Sequence, residues 1–100
     1  MILIPKNHNL PPLYANEFKK AEEVNIPIKL FNPCGSQTWY LTEYDPEQRL
    51  AFGYTAGVDF PELGYVSIEE LESVRLPFGL KIERDLHWDA TTKLSEVMES

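Results

Sequence analysis

Thr38-Trp39-Tyr40-Leu41-Thr42-Glu43-Tyr44 and Leu50-Ala51-Phe52-Gly53-Tyr54-Thr55-Ala56 are two runs rich in aromatic and β-branched residues, and their reading decides the fold. Asp45-Pro46-Glu47-Gln48 lies between them as a turn, with proline where its fixed φ is useful. The two runs therefore read as paired strands. Strand periodicity puts Trp39, Leu41 and Glu43 on one face and Tyr40, Thr42 and Tyr44 on the other. In the second run Leu50, Phe52 and Tyr54 oppose Ala51, Gly53 and Thr55; a glycine inside a strand implies close approach of a large neighbour, such as an aromatic across the pair.

The chain then passes a Gly/Pro corner, Asp59-Phe60-Pro61-Glu62-Leu63-Gly64-Tyr65-Val66, into Ser67-Ile68-Glu69-Glu70-Leu71-Glu72. Ser67 followed three residues later by Glu70 is a capping-box pattern, and Glu69, Glu70 and Glu72 suit the positive end of a helix dipole. Ile68, Leu71 and Val74 or Arg75 would be its buried stripe, with Pro77-Phe78-Gly79 ending it.

Outside this stretch the signals are shorter. Ile2 to Ile4 is a short strand or an anchoring arm, and Leu10-Pro11-Pro12 favours an extended turn. Tyr14, Phe18 and Ala21 fall at helical spacing, which predicts an amphipathic helix over Leu13–Val24, stopped by Asn25 and Pro27. Ile26, Ile28 and Leu30 alternate with Pro27, Lys29 and Phe31, as in a strand near a sheet edge. From Leu80 to Trp88 the alternation predicts another strand, with Leu80, Ile82, Leu86 and Trp88 on one face and Arg84 as a charge among them. Leu94, Val97 and Met98 mark a short C-terminal helix beginning near Thr92. The expected architecture is one α+β domain over 1–100: an antiparallel sheet of four to five strands, a capped helix on one face and a short N-terminal helix.

Composition bounds the function. With 43% hydrophobic and 25% charged residues the chain is of ordinary globular type, and no apolar run reaches the ~18 residues of a membrane span. The N-terminal segment lacks the pattern of a secretory signal, so a cytoplasmic location is the default expectation. A single cysteine, Cys34, and two histidines, His8 and His87, exclude an intramolecular disulfide and any Cys/His zinc cluster. Cys34, in the turn-like Asn32-Pro33-Cys34-Gly35-Ser36, could act as a nucleophile only with His87 as its base, and an ordinary turn cysteine is the simpler reading. His87 near Asp85 could form a general-base pair, but an exposed histidine on a strand is much the commoner case.

The net charge is −7, and from Glu43 to Glu72 eight acids face one base, Arg49, which is the whole of that imbalance. Such a field repels phosphate backbones and attracts a basic protein surface; a solvated acidic face serving solubility is the simpler alternative. Glu43 and Arg84 each interrupt an apolar face with opposite charge, which predicts a structural ion pair between them. Failing that, Arg84 would sit at a pocket mouth and receive an anion. Glu43, Asp45, Glu62 and Asp85 could coordinate magnesium only if two or three converged. There is no phosphate-cradling glycine loop, nucleophile elbow or zinc pattern, and no cofactor or metal is expected.

Trp39-Tyr40-Leu41-Thr42-Glu43, Pro61-Glu62-Leu63-Gly64-Tyr65-Val66-Ser67, Glu69-Glu70-Leu71-Glu72 and Arg75-Leu76-Pro77-Phe78-Gly79-Leu80-Lys81-Ile82-Glu83-Arg84-Asp85-Leu86 together resemble the small bacterial domain-of-unknown-function 2958 family, from about Leu10 to Leu94. The resemblance implies a plasmid, integrative-element or phage setting and carries over no catalytic residues. The tight Asp45–Gln48 turn departs from the longer acidic insertion that many members carry there.

The reading that follows is a non-enzymatic acidic protein that binds a basic site on a protein partner, such as a nucleic-acid-handling defence complex, in the manner of an anti-CRISPR or anti-restriction inhibitor. Its recognition residues would be Asp45, Glu47, Asp59 and Glu62, with Tyr40 and Tyr44 beside them. Direct binding of nucleic acid or membrane is not expected, and the oligomeric state is open. A small metal-dependent hydrolase or nuclease, or an accessory protein-binding domain of a mobile element, are the alternatives.

Overall fold

The computed structural model describes residues 2–98. Five strands form one antiparallel sheet: β1 (Ile28–Phe31), β2 (Thr38–Asp45), β3 (Leu50–Ala56), β4 (Glu62–Ser67) and the two-residue β5 (Glu83–Arg84), in the order β4-β3-β2-β1-β5. Helix α1 (Ile68–Ser73) follows β4 directly, and α2 (Leu94–Met98) closes the described chain. The fold is α+β, as expected. None of the described helices is long and apolar enough to cross a membrane.

Each face of the sheet carries its own apolar cluster. On the first, Ile28, Leu30, Trp39, Leu41, Ala51 and Val66 meet Leu3, Ile4 and Leu10 of the N-terminal arm, together with Ile68 of α1 and Ile82. On the second, Tyr40 and Tyr54 meet Val24, Ile26, Leu94 and Trp88. Trp88 is held there by a 2.7 Å bond from its indole nitrogen to the Ile26 carbonyl, and Lys29 lies over its ring. Helix α1 begins as its sequence foretells: the Ser67 hydroxyl accepts from the Glu70 amide, and Leu71 and Val74 pack beside Ile68 on the first cluster.

Register departs from simple alternation at one point, and the site depends on it. In the β2–β3 pair Leu41 faces Gly53, but the next pairing is Glu43 with Phe52, so Thr42 is an extra residue in a β-bulge. The Thr42 hydroxyl donates to the Phe52 carbonyl across the bulge. A one-residue insertion reverses side-chain parity beyond it. Tyr44 therefore joins Trp39 and Leu41 in the first cluster, and Glu43 turns to the opposite face with Tyr40 and Phe52. Gly53 makes the bulge possible: a Cβ there would lie 2.1 Å from the Tyr40 carbonyl oxygen and 2.9 Å from the Leu41 Cα. The close neighbour expected at Gly53 is thus backbone, not an aromatic ring.

Three sequence expectations are corrected. The helix over Leu13–Val24 is absent; residues 13–18 form successive turns, and only Ala21–Glu23 make a short 3-10 turn. Tyr14 takes a positive φ of 71°, incompatible with a helix, and Phe18 is 94% exposed, so of the three spaced residues only Ala21 packs against a core cluster. The corner after Asp59 contains the edge strand β4. Pro61 precedes it, where a missing amide costs no ladder bond, and Gly64 pairs with Gly53. Of the Leu80–Trp88 strand only Glu83–Arg84 pair with β1, because the Asp85 carboxylate accepts from the His87 amide in a local turn that ends the extended run.

Candidate functional site

Glu43 is 5% exposed, and both its oxygens are engaged by the turn that replaces the expected N-terminal helix. The Tyr14 amide donates to Oε1 at 2.7 Å and the Asn16 amide to Oε2 at 2.9 Å, while the Asn16 side chain donates to the Thr42 carbonyl. Charge-assisted bonds of this kind are short and strong. The carboxylate so held forms the floor of a cleft of about 350 Å³ on the second face of the sheet. Phe52, Leu63, Leu94 and Met98 supply apolar wall, and Tyr14 and Tyr65 line it from the turn and from β4.

The two tyrosines are tied together. The Tyr65 hydroxyl donates to that of Tyr14 at 3.0 Å, and the Tyr65 ring meets Phe52 edge-on. The bond to Tyr14 holds the Tyr65 hydroxyl above its ordinary pKa, with desolvation and the charges of Tyr14 and Glu43 acting in the same direction. It is therefore a neutral donor near pH 7, beside an anionic floor.

Glu43 and Arg84 are not joined, contrary to the expected ion pair. The bulge places Glu43 on the second face, while Arg84, opposite Leu30, donates through Nη1 to the carbonyls of Ile2 and Leu3 and so anchors the N-terminal arm. Among the described residues the ion pairs are Lys29–Asp85 at 3.6 Å and Arg49–Glu72 at 2.6 Å.

The expected recognition residues are also redistributed. Tyr44 is buried in the first cluster, and Tyr40 is half-buried against Tyr54 and Trp88, with burial raising its pKa. Asp45 is turned inward on its own hairpin, accepting from the Glu47 amide and the Gln48 side chain. Glu47, Asp59 and Glu62 are exposed. Glu47 lies at one end of β3 and Asp59 and Glu62 at the other, roughly 20 Å apart at the usual rise per strand residue. Between them runs β4, with Leu63 and the 54%-exposed Tyr65 on the second face. The acids are the ends of a strip, not a cluster.

The proposed catalytic groupings do not assemble. Among the described residues no three His, Cys, Asp or Glu side chains come together as metal ligands. Glu43 is in the cleft, Asp45 on the hairpin, Glu62 at the start of β4, and Asp85 beside Lys29. The bond that Asp85 accepts from His87 comes from its main chain, not its ring. Cys34 is exposed in an Asx turn on Asn32, with its sulfur 3.9 Å from the Pro77 carbonyl.

Glu72 contributes differently from its acidic neighbours. Burial works to raise its pKa, but hydrogen bonds from Arg49 and the Leu3 amide, with the Arg49 charge, outweigh it and hold the carboxyl below its ordinary value. A depressed folded-state pKa stabilises fully above the unfolded glutamate value, and that contribution is lost as pH falls through the folded one. Glu72→Gln is therefore expected to flatten the acid limb of the stability–pH curve below the usual glutamate range, measured by urea denaturation at stepped pH. An unchanged slope would remove the pair from that role.

Two tyrosines and a buried carboxylate around an apolar cleft define an α+β protein with a carboxylate-floored pocket on an antiparallel sheet. Residues 5–100 match the family model described as "Protein of unknown function (DUF2958)", and the chain belongs to that family. Comparison with the curated proteins and with the solved structures returned no match.

The residues missed from sequence were Tyr14, Asn16, Leu63 and Tyr65. One signal for them existed: Gly53, a glycine inside the strand that follows a charge-interrupted apolar face, is a pattern that points to a bulge, and with it to reversed parity.

Proposed function

We propose that this chain is a non-enzymatic interaction protein whose β4 edge engages a basic surface on a protein partner. The observation that carries this reading is the composition of that edge. Phe60, Leu63 and Tyr65 are exposed along it, Asp59 and Glu62 bracket one end, and Glu47, Glu69 and Glu70 bracket the other. Arg49, the one base in the segment, is already bound to Glu72, so the acids meet no counter-charge from their own stretch of chain. An edge strand also leaves one row of main-chain donors and acceptors unpaired, a usual element of protein docking. Acidic strips of this kind suit sites evolved for phosphate backbones. In a mobile-element setting the partner is then a nucleic-acid-handling defence complex, and the chain an inhibitor of anti-restriction or anti-CRISPR type.

The test is plasmid protection. Cells carrying an active restriction or CRISPR system are transformed with a targeted plasmid, with and without this chain. Transformation is expected to rise, and the triple variant Glu47→Lys, Asp59→Lys, Glu62→Lys is expected to return it to baseline with unchanged circular dichroism. These side chains are exposed, so each substitution should move stability by no more than about 0.5 kcal/mol. No rise against a panel of such systems, or full protection by the triple variant, would overturn the proposal.

A further inference from the structure

The cleft over Glu43 has a chemistry that the edge strip does not share. Its floor is a nearly buried carboxylate compensated by two main-chain amides, and among the described residues no ion pair includes it. A carboxylate offers about four acceptor positions, and the amides take one on each oxygen. What remains matches a two-pronged donor. Phe52, Leu63 and Met98 provide apolar wall for an alkyl stem, and Tyr14 and Tyr65 provide ring surface for a flat cation. The volume of about 350 Å³ lies in the roughly 300–1,000 Å³ range of ligand-binding clefts.

We propose that this cleft takes the guanidinium of an arginine side chain presented by a partner protein; the inference rests on the basic partner proposed above and names the group recognised. A phosphate or carboxylate is repelled by Glu43. A hard divalent cation requires several oxygen ligands, and among the described residues no three His, Cys, Asp or Glu side chains come together to supply them. Guanidinium satisfies the geometry better than ammonium, because its planar fork pairs with a carboxylate at two points, stacks on aromatic rings and is more weakly hydrated. Two charged side chains of the chain itself also line the cleft, Glu17 and Lys19. Lys19 opposes an incoming cation and Glu17 offsets it, so the selectivity falls to Glu43 and the two tyrosines.

The test uses the intact chain and three small probes: the N-acetyl, N-methylamide derivatives of arginine, lysine and citrulline, the last a neutral isostere of arginine. Each is titrated in the millimolar range into isotope-labelled protein while amide resonances are followed. The expected result is saturable movement of the Tyr14 and Asn16 amides with the arginine probe, weaker with lysine and absent with citrulline. Tyr65→Ala, at an exposed position, should weaken the arginine response about two- to fivefold without loss of fold, the effect of one cation–π contact. Equal responses to citrulline and arginine, a Tyr65→Ala variant that binds as the parent does, or a flat titration would each overturn the assignment. Plasmid protection reads the strip acids instead, so a failure of this assignment is told apart from a failure of the proposed function.

Discussion

Gly53→Ala is expected to destabilise the protein by about 3 kcal/mol or more, a large part of the roughly 5–15 kcal/mol available to a domain. The new methyl would sit 2.1 Å from the Tyr40 carbonyl oxygen and 2.9 Å from the Leu41 Cα. Both are main-chain atoms of the central strand, so no side-chain rotation can make room. Relief requires β2 and β3 to separate at the bulge, which loses ladder bonds and the position of Glu43 together. For a chain of this length the change corresponds to a melting temperature lower by about 15 °C, measured by thermal denaturation. Gly64→Ala is the control. Gly64 is the cross-strand partner of Gly53, yet a Cβ there meets nothing within 4 Å, so a change under about 1 kcal/mol is expected. Equal effects at the two positions would show that strand glycines are needed generally and that the bulge is not the reason.

Glu43→Gln is expected to cost about 2–3 kcal/mol with little change in volume. The carboxylate accepts from both the Tyr14 and Asn16 amides, and hydrogen bonds to a charged group contribute about 1.5–3 kcal/mol each. A glutamine can accept from one amide through its carbonyl, but its NH2 group then confronts the other donor in a nearly buried site. The damage should be local in origin. Amide exchange at Tyr14 and Asn16 is expected to accelerate well before that of the β2–β3 ladder, because the turn over 13–18 is held by that carboxylate and by isolated i to i−3 bonds. A variant as stable as the parent, with those two amides still protected, would show that the turn closes without the charge.

These two expectations concern one device seen from opposite faces of the sheet. Gly53 lets the strands approach, the extra Thr42 reverses parity, and Glu43 is delivered to the cleft side to organise the turn that forms part of the wall. The same device explains why Arg84 is left to the N-terminal arm.

Much of this was legible without coordinates. The alternating runs with their Asp-Pro turn locate β2 and β3 because β-branched and aromatic residues suit a pleated surface and the turn chemistry is local. The Ser67 cap and the short C-terminal helix are local in the same way, and Glu69 and Glu70 owe their places to the helix start. The helical spacing of Tyr14, Phe18 and Ala21 misled because periodicity reports a face only if something covers it, and here the segment answers to a carboxylate nearly thirty residues away.

Sequence alone therefore determined the elements whose causes lie within a few neighbouring residues, the acidic excess of the 43–72 segment and the family. Tertiary structure alone decided which face Glu43 occupies, which acids remain exposed and that a cleft exists. Strand periodicity cannot count a residue that the partner strand leaves unpaired, and a single unpaired residue exchanges the two faces of everything beyond it.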